Sequence, residues 1–477
     1  MGDDVVENNA IACVAYKKDI IVMTGDQLIE YITRREYESG LYDIKIGDIS
    51  IYSYISRTIQ MQLMDYYGSG LNYKNPLVPD KERRKALRKS FLQFVRLFLQ
   101  HKKYENVIRS FERVDFINDN YVDKFTDPLV DYTDIGKSCL ILEQGRSGAH
   151  QTPRCHSEKI IYTDIIYWLA WKFISLRKKR FYKRHSDVID LLFSRLELAF
   201  PEITLDKTAL LTVIVRFSFI TKCYRSLFRK IRAKRLFAPA RPSFKHLVPA
   251  AKCQGLIVYE LQHGLVYTKS LTYEEFHDPM FTPDYFLSFG NIPCADSYGI
   301  SSDKIIEIGW AFEQYIQSEK SATKNNQVLV VSAPNITDRL VSITCKLAEQ
   351  NPDVEFYFRP HPLEVLSKEV LSDFGRFKNI ILNDNLENIS VVLMRFECVM
   401  GVNSTVLYEA LAMRKKVAKL NMGGFEVQFL SEEDQRCFYL ITDDNTFKEF
   451  MEAPIGAKPS FNMYSRFKPE IVNALLK

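Results

Sequence analysis

The chain has 477 residues, more than one hydrophobic core usually fills, so two domains are expected. Its 46% hydrophobic and 26% charged residues are typical of a globular protein and exclude a disordered chain. A net charge of only +5, from 64 basic and 59 acidic residues, gives no indication of a nucleic-acid partner.

Cysteine usage and apolar runs bear on location. The nine cysteines are odd in number and form no CxxC pair, which argues against a disulfide framework and a zinc ribbon and predicts the reduced thiols of a cytoplasmic protein. No secretory signal is recognised, and Val6 stands where myristoylation requires Ser or Thr. The most apolar stretch, 160–176, is interrupted by Asp164 and Lys172 and is shorter than the about 20 residues of a membrane span.

The first part of the chain, 1–320, is predicted to be a Rossmann-like domain on the acceptor side. Apolar runs predict strands at 19–23, 139–143, 256–261 and 285–289. The section at about 160–237 has helical spacing and is interpreted as an insertion or as the helical flank of the sheet.

The last part, 325–477, is predicted to be a second Rossmann-like domain, which binds the donor nucleotide. Apolar runs predict strands at 327–332, 354–358, 379–382, 397–402 and 416–420. Helices are expected at 336–350 and 405–413. Strands that alternate with helices at this spacing predict a parallel, doubly wound sheet, so the whole chain is assigned to the α/β class.

The first motif is Glu260-Leu261-Gln262-His263-Gly264, directly after a predicted strand. Ligands of open α/β sheets bind at this edge, and a histidine there can donate to a phosphate or act as a general base. The alternative is an ordinary turn with a packed histidine.

The second motif is Phe358-Arg359-Pro360-His361-Pro362, which closes another predicted strand. Its two prolines make the loop rigid, and Arg359 and His361 offer donors to an anionic group. The alternative is that Arg359 pairs with a surface carboxylate.

The third motif is Gly401-Val402-Asn403-Ser404-Thr405, at the start of a predicted helix. A helix N-terminus presents free N–H groups and a positive dipole, which suit a phosphate. Asn403, Ser404 and Thr405 are therefore candidate donor-binding residues. The alternative is plain helix capping.

Taken together, the second and third motifs predict one phosphate site at the edge of one sheet. Competing signatures are missing from the sequence, because it has no GxGxxG after a strand, no GxxxxGK[ST] and no HExxH. Neither adjacent aspartate pair, at 3–4 and at 443–444, is placed like a metal-binding DxD motif, so no metal is expected.

Four segments, ELQHG, PDYFLSFG, YFRPHP and GVNSTVLYEAL, together resemble GT-B enzymes of bacterial capsule, O-antigen and teichoic-acid synthesis. That group includes the CDP-glycerol glycerophosphotransferases. The His-Pro and Ser/Thr motifs are also similar to those of bacterial sialyltransferases and Kdo transferases, which use CMP-sugars. The resemblance covers about residues 255–425. It implies a two-Rossmann fold and a glycosyltransferase of surface polysaccharide or lipopolysaccharide synthesis.

The same resemblance implies residue roles. His361, beside Pro362, and the pair Ser404 and Thr405 would hold the phosphate of the donor, and Glu409 would hold its ribose. No cofactor other than the nucleotide-activated sugar is implied, and a CMP-sugar is favoured.

The catalytic base departs from the family pattern. The sialyltransferase-like families carry two acidic residues followed by glycine in the N-terminal domain, and this sequence has no such triplet. Asp26, Glu260 and His263 are the candidate bases. Three alternatives to a glycosyltransferase stay open: a glycerophosphotransferase, a non-catalytic nucleotide-sugar-binding protein, and an epimerase of the same fold.

Two segments concentrate positive charge. Residues 172–184 and 222–235 each hold seven basic residues and no acid. In the second, apolar residues occupy one helical face and arginines another, which is the pattern of a helix lying on an anionic membrane. The acceptor is expected to be a glycan or a lipid-linked glycan, so peripheral binding to the inner face of the membrane would serve the reaction. The alternative is a solvated helix face.

Overall fold

The structure is a computed structural model that describes residues 25–67, 79–111, 114–145, 149–264, 278–290, 300–316, 324–333, 336–362, 364, 366–383, 387–422, 435–454 and 464–477. The predicted strand at 19–23 lies outside these residues. None of the described helices is long and apolar enough to cross a bilayer.

The strands of the N-terminal part are β1 (Lys45–Ile46), β2 (Ile49–Ser50), β3 (Asn106–Arg109), β4 (Val114–Ile117), β5 (Asn120–Asp123), β6 (Cys139–Glu143), β7 (Ile160–Tyr162), β8 (Arg235–Pro239), β9 (Ile257–Leu261), β10 (Tyr285–Ser288) and β11 (Ile305–Glu307). The helices are α1 (Gly25–Glu38), α2 (Ser56–Tyr66), α3 (Asp80–Leu99), α4 (Asp127–Tyr132), α5 (Asp164–Lys172), α6 (Ile174–Ala199), α7 (Lys207–Ile231), α8 (Val248–Lys252) and α9 (Glu313–Ile316).

Seven of these strands form one parallel sheet in the order β11-β10-β9-β8-β3-β6-β7. The predicted strands at 139–143, 256–261 and 285–289 are confirmed as β6, β9 and β10. Helices α3, α5, α7 and α8 cover one face of the sheet with a shared apolar core. The section predicted to be helical, at about 160–237, contains helices α5, α6 and α7. Its two ends are not helical, because they form strands β7 and β8 of the sheet.

The strands of the C-terminal part are β12 (Lys324–Val331), β13 (Glu355–Arg359), β14 (Ile380–Leu382), β15 (Phe396–Gly401), β16 (Lys416–Leu420) and β17 (Tyr439–Ile441). The helices are α10 (Thr337–Gln350), α11 (Lys368–Phe374), α12 (Ile389–Met394), α13 (Thr405–Ala412), α14 (Asp444–Glu452) and α15 (Pro469–Ala474).

All six C-terminal strands are parallel, in the order β14-β13-β12-β15-β16-β17. Every predicted strand of this part is confirmed, because a strand buried on both faces is a nearly continuous apolar run. Two parallel sheets with flanking helices confirm the predicted α/β class with two Rossmann-like units.

The two units share a hydrophobic cluster. Ile117 and Val122 of the β4–β5 hairpin pack in the same cluster as Leu329 of β12 and Leu407 of α13. The hairpin therefore reaches from the N-terminal sheet to the C-terminal one.

The end of the chain returns to the N-terminal sheet. Ser465 donates its backbone amide to Phe289 O over 2.8 Å, and Lys468 does the same to Ile308 O over 2.8 Å. Val472 of α15 is buried among residues of the N-terminal strands. The sequence placed 464–477 in the C-terminal domain, whereas these contacts lie on the N-terminal sheet.

Candidate functional site

The carboxyl edge of the C-terminal sheet carries two of the predicted motifs. Val331 of β12 is in register with Arg359 of β13 on one side and with Gly401 of β15 on the other. Since neighbouring strands lie about 4.8 Å apart, the two flanking residues are roughly 10 Å apart in one row. The loop of His361 and the loop before Thr405 therefore leave the sheet at the same edge.

Just before α13 begins, the backbone of β15 lies very close to that of β12. A Cβ at Gly401 would lie 2.9 Å from Val331 O, so only glycine fits beside β12. Ser404 is the N-cap residue, and its Oγ accepts a hydrogen bond from Val406 N over 3.3 Å. Asn403, Ser404 and Thr405 are half-buried, which leaves them accessible to a ligand. Capping and anion binding are compatible here, because a cap satisfies only part of the free N–H groups.

Arg359 binds and orders the loop that follows β14 at this edge of the sheet. Its side chain is buried and donates to Asn383 Oδ1 and to Glu387 O, each over 2.6 Å. The guanidinium therefore ties down the loop that follows β14. This contact differs from the surface carboxylate pair considered from the sequence, and a role for Arg359 in binding the donor stays a prediction.

Glu364 organises the loop of His361. Its carboxylate accepts from the backbone amide of His361, from the hydroxyl of Thr337 and, over 3.2 Å, from Ser332 Oγ. The loops after β12 and β13 are thereby joined at the start of α10. His361 is half-buried and Pro362 is exposed. Glu364 was not predicted from the sequence, because its three partners come from separate segments of the chain.

Glu409, the candidate ribose ligand, is buried in α13 and lies at the contact between the two units. Its Oε1 lies 4.0 Å from Lys124 Nζ, and its Oε2 accepts from Ser390 Oγ over 3.5 Å. Lys124 follows the β4–β5 hairpin. A basic residue of the N-terminal unit thus reaches helix α13 of the C-terminal unit.

The three candidate bases differ in burial and in the groups that they contact. Glu260 is buried at the end of β9 and accepts from the backbone amide of Arg241 over 2.9 Å and from its guanidinium. Burial raises the pKa of Glu260, and the Arg241 charge opposes that rise. His263 is half-buried, with its ring edge-on to Phe111 at 5.3 Å. Asp26 belongs to α1, and its side chain lies outside the described part of the chain.

Asp115 of β4 is a further acid at the domain contact that no sequence motif revealed. Burial raises its pKa to about 6, the nearby charge of Lys124 opposes this, and Glu409 and Asp123 add to it. Arg359 also acts on its pKa, in the lowering direction. Asp115 therefore lies in the field of Glu409 and Arg359, two of the candidate donor-binding residues. A lone acid in a hairpin carries no sequence signal.

A buried polar network supports the carboxyl edge of the N-terminal sheet. Glu143 at the end of β6 accepts from Arg154 Nε over 2.9 Å and lies 2.9 Å from His150 Nδ1. His150 Nε2 lies 2.9 Å from Asp164 Oδ2, and Arg154 also pairs with Asp127. The two neighbouring carboxylates raise the pKa of His150 against the effect of its burial. This network was not predicted from the sequence, because its residues lie in β6, in α4, in α5 and in the loop between β6 and β7.

Among the residues that the structure describes, one group offers a set of metal-type ligands. The ligand atoms of Asp131, Cys155 and His156 lie within 4.8 Å of one another. Asp131 already lies 3.1 Å from His156 Nε2 and accepts from the hydroxyl of Tyr315. The expectation that the protein needs no metal stays a prediction.

No protein-family model matches the chain, and no curated protein sequence matches it significantly. Among solved structures, it is similar to the UDP-GlcNAc 2-epimerase of Methanocaldococcus jannaschii, at 12% identity over 78% of this chain and 99% of that one, with a TM-score of 0.49. The UDP-GlcNAc 2-epimerase of Neisseria meningitidis, bound to UDP-GlcNAc, matches at 12% identity over 78% and 99%, with a TM-score of 0.45. The wall teichoic acid polymerase TagF, soaked with CDPG, matches at 9% identity over 84% and 98%, with a TM-score of 0.43.

The strand orders of this chain define its class. Residues of both parallel-sheet units pack in one shared cluster, and the end of the chain returns to the first sheet. This is the α/β architecture with two Rossmann-like units that the resemblance implies.

Proposed function

We propose that the protein is a glycosyltransferase that moves a sugar from a nucleotide-activated donor, with a CMP-sugar favoured, to a surface polysaccharide or lipid-linked acceptor. The observation that carries the proposal is the common edge of the C-terminal sheet. The His361 loop and the helix start at Ser404 leave this edge two strands apart. Lys124 and Asp115 of the N-terminal unit face the same region.

In the proposed mechanism the phosphate of the donor lies between His361 and the N-terminus of α13. The acceptor hydroxyl loses its proton to a base as its oxygen attacks the anomeric carbon, and the bond from that carbon to the phosphate oxygen breaks. The nucleotide leaves as an anion, whose growing charge is stabilised by His361, Asn403, Ser404 and the free N–H groups of the helix. Glu409 is proposed to bind the ribose.

We assign the base to His263, with Asp115 as the second candidate. Glu260 already accepts two hydrogen bonds from Arg241, so its proposed part is to hold Arg241 and the end of β9 in place. His263 lies in the loop directly after β9, and its ring contacts that of Phe111. The ring centroid of Phe111 lies 5.5 Å from that of Phe125, a member of the shared cluster. Imidazole is the side chain best suited to accept a proton near neutral pH.

The first experiment is a thermal-shift panel of CMP, CDP, UDP, GDP and their sugar conjugates. A nucleotide that binds the native state raises its apparent stability by mass action. Selective stabilisation by one nucleotide is expected, and no response to any of them would contradict the proposal.

Turnover and product analysis with the selected donor then separate the alternatives. A glycosyltransferase releases the nucleotide and transfers no phosphorus, whereas a glycerophosphotransferase incorporates phosphate into its product. A non-catalytic binding protein gives a thermal shift without turnover, and an epimerase converts the donor without any acceptor. His263→Asn is expected to remove transfer and to leave the thermal shift unchanged.

The membrane contact is part of the same proposal. The apolar face predicted for 222–235 packs in the core of the N-terminal unit, because Tyr224, Leu227 and Phe228 are buried, and Arg235 is buried at the start of β8.

We therefore place only the exposed basic residues of 172–184 and 222–235 near the anionic inner face of the membrane, where each contributes about 1 kcal/mol. Lys179, Arg180 and Arg225 are exposed on α6 and α7, as this contact requires. Their charges would bring the protein to lipid-linked acceptors.

A further inference from the structure

Helices α3, α5 and α7 form an open apolar groove on the outside of the N-terminal unit. Its volume is about 940 Å³, and its lining includes Leu87, Phe91, Val95, Phe98, Trp168 and Leu169. Arg88 and Lys222 also line it, and no acidic residue does. The groove is thus apolar inside and positively charged at its sides.

Large apolar side chains around the groove are exposed. Phe91 is 53% exposed and Leu92 is 66% exposed, both on α3. Trp171 near the end of α5 and Phe173 directly after it are exposed as well. Contiguous apolar surface of this kind is rare on monomeric soluble proteins and marks a binding surface. The basic segments alone did not reveal it, because α3 belongs to neither.

The cations and aromatic rings of this face are interleaved. Lys172 Nζ lies 4.4 Å from the ring centroid of Trp168, and Arg216 lies 3.8 Å from that of Trp171. The only acids of α3, Asp80 and Glu82, stand in its first turn. Aromatic rings with neighbouring cations are typical of the polar boundary of an anionic bilayer.

The groove reaches the carboxyl edge of the N-terminal sheet, the edge that also carries Glu260 and His263. Lys89 Nζ donates to the hydroxyl of Tyr162 over 3.1 Å, and Ser90 Oγ donates to Tyr162 O. Tyr162 is the last residue of β7, so the first half of α3 lies at the carboxyl edge of the N-terminal sheet. A lipid held in the groove would have its headgroup near that edge.

We propose that the α3–α5–α7 face inserts into an anionic phospholipid bilayer and that an acyl chain of a phospholipid fills its groove. The choice of a lipid follows from charge complementarity together with the apolar lining. The inference deepens the proposed function and rests on it, since it assigns the acceptor to the membrane side of the site.

The test is Trp fluorescence with vesicles of phosphatidylglycerol that carry brominated acyl chains, which quench indoles within the bilayer. The chain has three Trp residues, and Trp310 is buried in the shared cluster, so quenching reports on Trp168 and Trp171. Quenching is expected with these vesicles and not with phosphatidylcholine vesicles that carry the same brominated chains.

Leu92→Glu is the variant and Leu198→Glu its matched control. Leu198 is 78% exposed on α6 and does not line the groove, so both substitutions leave the packed core intact. Leu92→Glu is expected to weaken vesicle binding by about tenfold or more, because it places a charge in the apolar face. Leu198→Glu is expected to bind like the wild type.

Three results would overturn the proposal: no binding by the wild type, unchanged binding by Leu92→Glu, or a Leu92-dependent dimer in analytical ultracentrifugation that shows a second copy on this face. The nucleotide thermal shift of the same samples, measured without lipid, keeps the two proposals apart. A protein that binds vesicles without responding to nucleotides contradicts only the transferase proposal, and the reverse result contradicts only this one.

Discussion

Lys124 Nζ lies 4.0 Å from Glu409 Oε1, and this ion pair joins the N-terminal hairpin region to helix α13 of the C-terminal unit. Both side chains are largely shielded from solvent, at 18% and 7% exposure. The carboxylate proposed to bind the donor ribose is therefore already in contact with the opposite unit. This ion pair therefore links the arrangement of the two units to the place where the donor is proposed to bind.

A double-mutant cycle measures this link. Lys124→Met leaves the buried Glu409 carboxylate without its cation, so we expect the free energy of unfolding to fall by about 1–3 kcal/mol. Adding Glu409→Gln removes the buried charge and is expected to recover part of that loss. Denaturant unfolding of the wild type, both single variants and the double variant gives the coupling energy. Strictly additive effects would mean that the pair does not stabilise the domain contact.

His361 is predicted to be essential for transfer. Without its imidazole the leaving nucleotide loses one stabilising group, so His361→Ala should lower kcat by about 10²–10⁴-fold. The fold is expected to be unaffected, because the fixed part of this loop is the backbone amide that Glu364 accepts from. His101→Ala, at an exposed position, serves as the control. Equal turnover by the two variants would remove His361 from the mechanism.

The raised pKa of Asp115 leads us to expect that the free energy of unfolding depends on pH. Burial raises its pKa to about 6 in the folded protein. The folded state therefore favours the protonated acid, and this contribution to stability is complete below about pH 4 and lost as the pH rises to about 6. Asp115→Asn cannot ionise and should exceed the wild type in stability by about 2–3 kcal/mol at pH 8, with no difference near pH 4.

Thermal melts of Asp115→Asn across this pH range check the prediction. Asp119→Asn, at the exposed turn of the same hairpin, is the control and should follow the wild type throughout. A constant offset between Asp115→Asn and the wild type from pH 4 to pH 8 would show that ionisation of Asp115 does not couple to folding.

Arg154 is predicted to stabilise the N-terminal edge. It contacts the carboxylates of Asp127 and Glu143 and donates to Tyr121 O over 3.0 Å. Arg154→Met leaves the buried Asp127 without its cation and Glu143 with His150 alone, and we expect the free energy of unfolding to fall by about 3–5 kcal/mol.

Arg376→Met is the comparison in denaturant unfolding. Arg376 pairs with Asp373 at 3.3 Å but is 72% exposed, so its loss should change the free energy of unfolding by less than about 1 kcal/mol. Similar values for the two variants would contradict a structural role of the buried network.

Strands were predictable where local pattern decides them. β12, β13, β15 and β16 are apolar runs that any buried parallel strand requires, and each was placed within a few residues of its observed bounds. β3 was missed because it ends at Arg109, a charged residue that local pattern assigns to the surface. In the fold Arg109 is buried, donates to Leu142 O over 3.1 Å and lies 4.7 Å from the ring centroid of Phe244.

The sequence by itself determined that two parallel sheets form and that His361 and Ser404 end up at one edge, because strand order and chain direction bring the carboxyl ends of parallel strands together. Only the tertiary structure decided which charges are used at that edge. Arg359 binds the loop at Asn383 and Lys124 reaches Glu409 there, while Glu260 binds Arg241 at the end of β9 in the N-terminal sheet. These choices depend on distances between segments far apart in the chain and on the cost of burying an unpaired charge, and neither is visible in a local pattern.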